Sequence, residues 1–359
     1  MKIQENVLIS EITTMRLGGE AKFLIDIEKT EDIPEAFDFI NEHDIPFFFL
    51  GDGANSIGKD EGFEGAIIRN KITGLQVIDE NNRIIKGMGG ENWDNVVKFT
   101  TDLGWSGIEA MSAIPGTLGA APIQNIGAYG QDISQVIVEV EAFDTVLEEF
   151  VTIPVEEMKM GYRTTIFNTG EKAGRYFIVS VTLKLKDETL KPPFYTSLQR
   201  FVDENGVEDF SPANIREMVM KIREDKLPDP RTTASAGSFF KNIYLSDEEA
   251  DEAEKRGIQV FRTNGENTIN TGWLIEKAGL KGKELFGFRV SEKAALILIN
   301  ESARTHDELE KATAEIQRIV KEKFGFEIEP EPVEISEKNA KYGKPDLLDP
   351  KDNCLGVAL

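Results

Sequence analysis

Cysteine is almost missing from this chain of 359 residues: the single Cys354 excludes an internal disulfide and fits a reducing compartment. Histidine is nearly as scarce. His43 and His306 are the two present, one at the end of a helical pattern and one in the first turn of another, and both are expected to face solvent. With no His/Cys cluster at ligand spacing, no metal site is expected. Cations are also in short supply. Lys and Arg number 41 against 64 Asp and Glu, a formal net charge of −23, which argues against nucleic acid because phosphate binding needs clustered positive charge. Any anionic ligand must be held by local cations, helix N-termini and amide nests, against the overall field. No apolar run reaches the length of a membrane span, and MKIQENVLIS has no signal-peptide core. The expectation is a cytoplasmic chain with no membrane contact and no obligate protein partner.

What is present is an ordinary globular composition, 40% hydrophobic and 29% charged, over a length that suggests two or three domains. AKFLIDI (21–27) and IPFFFLG (45–51) read as strands, with the helically spaced EDIPEAFDFINEH between them. GLQVIDENNRIIKGMGG reads as a hairpin, followed by a helix near Glu91 to Leu103 that carries Trp93, Val96, Val97 and Thr100 on one face. VIVEVEAFD and EEFVTIP make a further strand pair, and YFIVSVTLKLK (176–186) a long strand. Ser211 and Pro212 are placed as N-cap and first residue of a helix whose Ile215, Met218, Val219 and Ile222 form an apolar stripe. LPDPRTT then marks a boundary. Thr305 and Glu308 form a capping-box signature, and FEIEPEP reads as a final strand. The segment from Ser336 onward is polar and proline-punctuated, and is expected to be disordered or loosely docked.

The densest signal is Gly107 to Gly130, GIEAMSAIPGTLGAAPIQNIGAYG, with five glycines, two prolines and one charged residue. Each interior Gly costs a helix about 1 kcal/mol and each Pro about 3 kcal/mol, and strand alternation is absent. The run reads as tight turns whose missing side chains let a large group approach the backbone. LGDGANSIGKD (50–60) follows an apolar strand, and its glycines permit amides to curl into a nest suited to a pyrophosphate. It is not a Rossmann fingerprint, since no G-x-G-x-x-G opens a helix here. GMGGEN (87–92) is another Gly-rich turn leading into a helix.

IPGTLGAAPIQNIGAYG resembles the flavin-contacting segment of the UDP-N-acetylenolpyruvoylglucosamine reductases, with Ala120 and Ala121 where that family usually has two glycines or two serines. The resemblance runs from about Thr13 to about Ile335. It implies an α+β chain: a two-subdomain FAD-binding fold of the vanillyl-alcohol-oxidase/PCMH type plus a C-terminal α+β substrate domain. The implied divisions are 1–72 and 73–226 for the two FAD-binding subdomains, 227–335 for the substrate domain whose last strand returns to the active site, and 336–359 for a polar tail. FAD is implied to be non-covalent, held by Gly51, Asp52, Gly53, Ala54, Asn55, Ser56, Pro115, Gly116, Gly119, Gln124, Gly127 and Arg223.

The implied reaction is NADPH-dependent reduction of the enolpyruvyl group of UDP-N-acetylglucosamine enolpyruvate to give UDP-N-acetylmuramate. Hydride addition to the terminal methylene leaves enolate-like charge that must be stabilised and then protonated. In GYRTTIF (161–167), Arg163 matches the family arginine that holds the substrate carboxylate, a role suited to a planar, permanently charged fork. In AGSFFKN (236–242), Ser238 matches the serine that donates the proton. In IEPEPVEI (328–335), Glu331 matches the second glutamate of a Glu-x-Glu-Val signature; Pro332 and Glu334 depart from the pattern, so Glu329 is the alternative if the register slips. Tyr162, Lys226, Asn242 and Lys281 are implied substrate contacts. Tyr195, in KPPFYTSLQRF (191–201), matches the closing tyrosine of the longer subtype. Two other readings are a flavin oxidase or dehydrogenase acting on another substrate, and a non-catalytic flavin- or nucleotide-binding protein.

Overall fold

The computed structural model describes residues 1–263 and 265–342. It opens on a strand that the sequence pattern did not reveal, Lys2–Leu8, which pairs antiparallel with Glu20–Ile27. In KIQENVL, Glu5 interrupts the face that Ile3 and Val7 share, and the strand lies at a sheet edge, so it carries no clean alternation to read. Glu20–Ile27 and Phe47–Leu50 both pair parallel with Phe63–Asn70. Parallel neighbours need a crossover, and the helix Asp32–His43 supplies one, burying Ile33, Ala36, Phe37 and Ile40 at helical spacing.

A second, antiparallel sheet has the order Glu149–Pro154, Ile137–Asp144, Tyr176–Lys184, Ile84–Met88, Leu75–Asp79. The helix Trp93–Asp102 buries Trp93, Val96 and Val97 in one cluster with Ile85, Val181 and Leu183, and the Gly-rich run contributes Met111, Leu118 and Ala121 to it. Trp93 anchors that run twice. Its indole N–H donates to the Met111 carbonyl at 2.9 Å, and its backbone N–H to the Gly116 carbonyl at 3.0 Å. The helix Pro212–Lys226 has Ser211 at its N-cap position, but the Ser211 hydroxyl bonds Asp209 instead of capping.

The C-terminal portion builds a four-stranded sheet on Ala234–Ser238 and a three-stranded sheet on Ile243–Leu245. The helix His306–Phe324 is packed on their shared core, and its Thr305/Glu308 capping box is formed as expected. This α+β arrangement is the fold class read from the sequence. No described helix is long and apolar enough to cross a membrane.

Three readings need correction. FEIEPEP is not a strand: Phe240 and Pro330 form one isolated bridge, and the regular strand comes later, at Val333–Ile335, parallel to Ser56–Gly58. The two prolines lack the N–H that a ladder requires. The segment 336–342 is docked, since Ala340 is buried and Phe47 and Lys341 exchange backbone hydrogen bonds at 2.6 and 2.9 Å; residues 343–359, Cys354 included, lie outside the described residues. Finally, His306 is buried, not solvent-facing. Its Nε2 lies 3.2 Å from Glu334 and its Nδ1 3.7 Å from Glu310. The ring thus sits between two carboxylates, and Lys59 lies 3.5 Å from Glu334.

Candidate active site

The loop between Phe47–Leu50 and Ser56–Gly58 has Gly53 at φ +68°, where a Cβ would stand 2.2 Å from the Ile12 carbonyl oxygen, so only glycine fits. Among the described residues, the amides of Asp52, Gly53 and Ala54 have no acceptor. Gly51 approaches so closely that a Cβ would lie 3.1 Å from Ala120. Asn55 donates to the Gln124 side-chain carbonyl at 2.8 Å. The two Gly-rich segments singled out in the sequence therefore face each other. Asp52 also lines a polar cleft of about 320 Å³ with Arg16, Arg69 and Lys71.

Along the Gly-rich run, Pro115 is exposed, Gly116 stands at φ +134° beside open space, and the Gly119 amide donates to the Gly89 carbonyl at 2.8 Å. Gly127 pairs with Asp132 in a two-residue ribbon. Behind the run, Asp94 accepts both guanidinium nitrogens of Arg216, at 2.5 and 2.7 Å, and the Ala113 amide at 2.6 Å. Burial alone would raise the Asp94 pKa, but these donors outweigh it and hold it below the usual carboxylate range. Arg223, on the same helix as Arg216, has a buried Nε with no acceptor among the described residues. Burial lowers its pKa, opposed by Tyr129, which hydrogen-bonds it. Open amides, closely approached glycines and a buried guanidinium whose Nε–H is unmatched among the described residues form a donor set that fits a dinucleotide pyrophosphate.

Arg163 and Glu331 meet beyond this cradle. Glu331 is carried by a backbone bond from its N–H to the Phe239 carbonyl, 2.9 Å, which sets it beside the segment bearing Ser238. Its carboxylate lies 3.0 Å from Arg163 Nε, but the N–H does not point at it and finds no acceptor among the described residues. Burial raises the Glu331 pKa, with Arg163 pulling the other way less strongly. Glu329 instead projects outward, 77% exposed, toward Lys241 at 3.4 Å. Of the two candidate glutamates, then, the one against the arginine is Glu331. Arg163 itself stands at φ +55°, fixed by the Asn168 side chain donating to its carbonyl at 2.9 Å and by its own contact to the Asn125 carbonyl at 3.4 Å.

Ser238 ends the strand Ala234–Ser238 after Gly237 and is exposed. Tyr162 packs beneath the Arg163 guanidinium, 5.2 Å from ring to Cζ, and burial raises its pKa. Tyr195 is 51% exposed and edge-on to Tyr129 at 6.1 Å; it is the N-cap of a helix, Thr196–Asn205, that the sequence reading left as loop. Lys226 ends its helix near Arg200, and burial first, then that cation, lowers its pKa. Asn242 accepts the Thr271 amide at 3.2 Å. Lys281 pairs with Glu276 at 3.1 Å on the surface, not with Arg163 or Glu331. The sequence reading missed Asn125, Tyr129 and Tyr244. The first two stand within the quoted Gly-rich run, while nothing in the sequence marks Tyr244.

Facing Gly-rich segments, and a partly buried arginine–carboxyl contact between the loop 161–167 and the C-terminal portion, fit the class of FAD-dependent oxidoreductases. Residues 21–147 match the FAD binding domain family, and residues 229–335 match the C-terminal domain of UDP-N-acetylenolpyruvoylglucosamine reductase. The chain is 33% identical over 337 residues to the UDP-N-acetylenolpyruvoylglucosamine reductase of Bdellovibrio bacteriovorus, covering 93% of this chain and 99% of that one. It is 36% identical to that of Wigglesworthia glossinidia brevipalpis, covering 89% and 93%. The reductase structure from Thermus caldophilus has the same fold, with a TM-score of 0.64 at 22% identity over 93% of this chain and 99% of that one. The chain belongs to the UDP-N-acetylenolpyruvoylglucosamine reductase family.

Proposed function

We propose that this enzyme reduces the enolpyruvyl group of UDP-N-acetylglucosamine enolpyruvate to give UDP-N-acetylmuramate, with NADPH as reductant, in the cytoplasm. The observation that carries the reading is the partly buried Arg163–Glu331 contact, with the Arg163 Nε–H unmatched among the described residues and Ser238 one residue from the carbonyl that holds Glu331. Loop 51–56, the run 115–127 and Arg223 would hold FAD, which when bound supplies the hydride.

The chain's own residues have three tasks. Arg163 binds the substrate carboxylate through its open N–H and stabilises the charge that develops beside it. Glu331, its pKa raised by burial, tolerates a second carboxylate nearby in its protonated form. Ser238 gives its proton to the carbon next to the carboxylate. Lys226, Asn242 and Tyr162 line the approach. Tyr195, exposed at the start of its helix, is the residue that closes over the nucleotide, as in the longer subtype. Lys281 would first have to leave Glu276 to reach a diphosphate. The set Arg163, Ser238 and Glu331 has little use in an alcohol oxidase, which has no enolate to protonate.

The test is anaerobic. Protein carrying flavin is reduced with NADPH, then given UDP-N-acetylglucosamine enolpyruvate while flavin absorbance is followed. Return of the oxidised spectrum is expected. A flavin that stays reduced sinks the proposal. In Ser238→Ala, reduction by NADPH should survive while reoxidation by the sugar nucleotide falls by orders of magnitude; equal loss of both half-reactions would refute the proton-donor role.

A further inference from the structure

Tyr244 lies two residues beyond Asn242, at the centre of the short strand Ile243–Leu245, opposite Thr268 of the neighbouring strand. Its ring packs on that of Tyr162, with centroids 4.5 Å apart and planes inclined at 43°. The Arg163 guanidinium is 5.2 Å from the same Tyr162 ring, and Arg163 Nε is 3.0 Å from Glu331. Four side chains thus follow one another: Tyr244, Tyr162, Arg163, Glu331. The outer two come from the C-terminal portion and the inner two from the loop 161–167.

Arg163 needs such support. Its left-handed backbone is disfavoured for any residue with a Cβ, and a conformation of that kind persists where the surroundings over-determine it. From its own side the loop is closed by the Gly161 amide donating to the Thr164 carbonyl at 2.8 Å and by the Asn168 and Asn125 contacts. From the facing portion, Glu331 touches the guanidinium and Tyr244 presses on its aromatic support. Tyr244 is 39% exposed, so its ring is not core filling, and it packs on the Tyr162 ring. Aromatic pairs are directional and keep a ring at a set angle, and the cation above Tyr162 takes its position from that ring.

We propose that Tyr244 is a positioning residue for Arg163: it fixes the Tyr162 ring from the facing C-terminal strand and so aims the guanidinium at the substrate carboxylate. The inference rests on the enolpyruvyl-reductase reading. The aromatic face is what acts, so Tyr244→Phe keeps the function and Tyr244→Ala loses it; Tyr244→Leu preserves apolar contact and strand propensity without the ring, and guards against a folding defect in the alanine variant.

The experiment measures both half-reactions in the flavin-loaded protein, with wild type alongside. In Tyr244→Ala and Tyr244→Leu, flavin reoxidation by UDP-N-acetylglucosamine enolpyruvate should slow on the order of tenfold at saturation, as expected for a misplaced catalytic group. KM should move less than about threefold, flavin reduction by NADPH should be unchanged, and Tyr244→Phe should restore the wild-type rate. Reoxidation at wild-type speed in both ring-less variants overturns the proposal. So does equal slowing of the two half-reactions, which would mean general damage, or a phenylalanine variant as slow as alanine, which would assign the effect to the hydroxyl. Wild-type flavin that stays reduced overturns the reductase reading and this inference together, an outcome distinct from the other three.

Discussion

Arg163 and Glu331 show how a single position acquires chemistry from its neighbours. A glutamate in water loses its proton near pH 4; burial lifts Glu331 above that range, and Arg163 offsets only part of the effect. For an acid whose folded pKa is raised, the folded protein keeps the proton longer. Stability therefore falls as pH rises from the unfolded value through the folded one, then levels. Activity should follow the protonated share: flavin reoxidation by the sugar nucleotide slows as pH rises through the raised Glu331 value. Glu331→Gln, uncharged throughout, should be slower overall but lack that limb. Matching pH profiles in the two proteins would remove Glu331 from the mechanism. Gly53 is constrained by space instead. Gly53→Ala should lose flavin binding, measured by the flavin fluorescence released, because the new Cβ would meet the Ile12 carbonyl oxygen and flatten the amide nest.

At the level of elements, the strand Val333–Ile335 joins the C-terminal portion to the Gly-rich loop 51–56 by pairing with Ser56–Gly58. Ile335 is fully buried among Ile9, Leu24 and Ile67. Ile335→Ala should cost about 3 kcal/mol of stability in denaturant titration, and reoxidation should suffer more than flavin binding, since Glu331 is four residues upstream. The helix Pro212–Lys226 is tied to the Gly-rich run through Arg216, Asp94 and the Ala113 amide. Because the Asp94 pKa is depressed, its contribution is present at neutral pH and is lost as pH falls through the folded value. Asp94→Asn should therefore be destabilised by about 2 kcal/mol at pH 7, with the gap from wild type closing in acid. A constant gap across pH would argue against the ion pair as the cause. Elements with strong periodicity, such as Asp32–His43 and His306–Phe324, were legible because their apolar spacing is set by burial on one face. Lys2–Leu8 and Thr196–Asn205 were not, since one is an edge strand whose apolar face Glu5 interrupts and the other buries only Leu198 and Val202.

Over the whole molecule, a net charge of −23 surrounds a groove that must admit anions. Raising ionic strength from about 10 to about 100 mM shortens the Debye length from ~30 to ~10 Å. That screens the distant repulsion more than the close contacts of Arg163, Arg223 and Lys226, so KM for NADPH and for the sugar nucleotide should fall over this range in steady-state assays. A rise would mean that the local cations, not the global field, dominate encounter. The groove itself depends on straps between distant segments. Thr14 donates to the Gly53 carbonyl at 3.0 Å through its amide and to the Ser235 carbonyl at 2.6 Å through its hydroxyl, while the His306 amide donates to Asp60 at 2.7 Å.

The order of motifs along the chain was enough to point to the family to which the chain belongs, because glycines at forced turns and small residues at close approaches leave a local mark. Which glutamate meets the arginine, that Lys281 is held by Glu276, and that Tyr244 packs on Tyr162 were decided only by the tertiary structure. Those contacts join segments up to 168 positions apart, as from Arg163 to Glu331, and such pairs are set by strand register and packing across a groove, neither of which is written in the spacing of nearby residues.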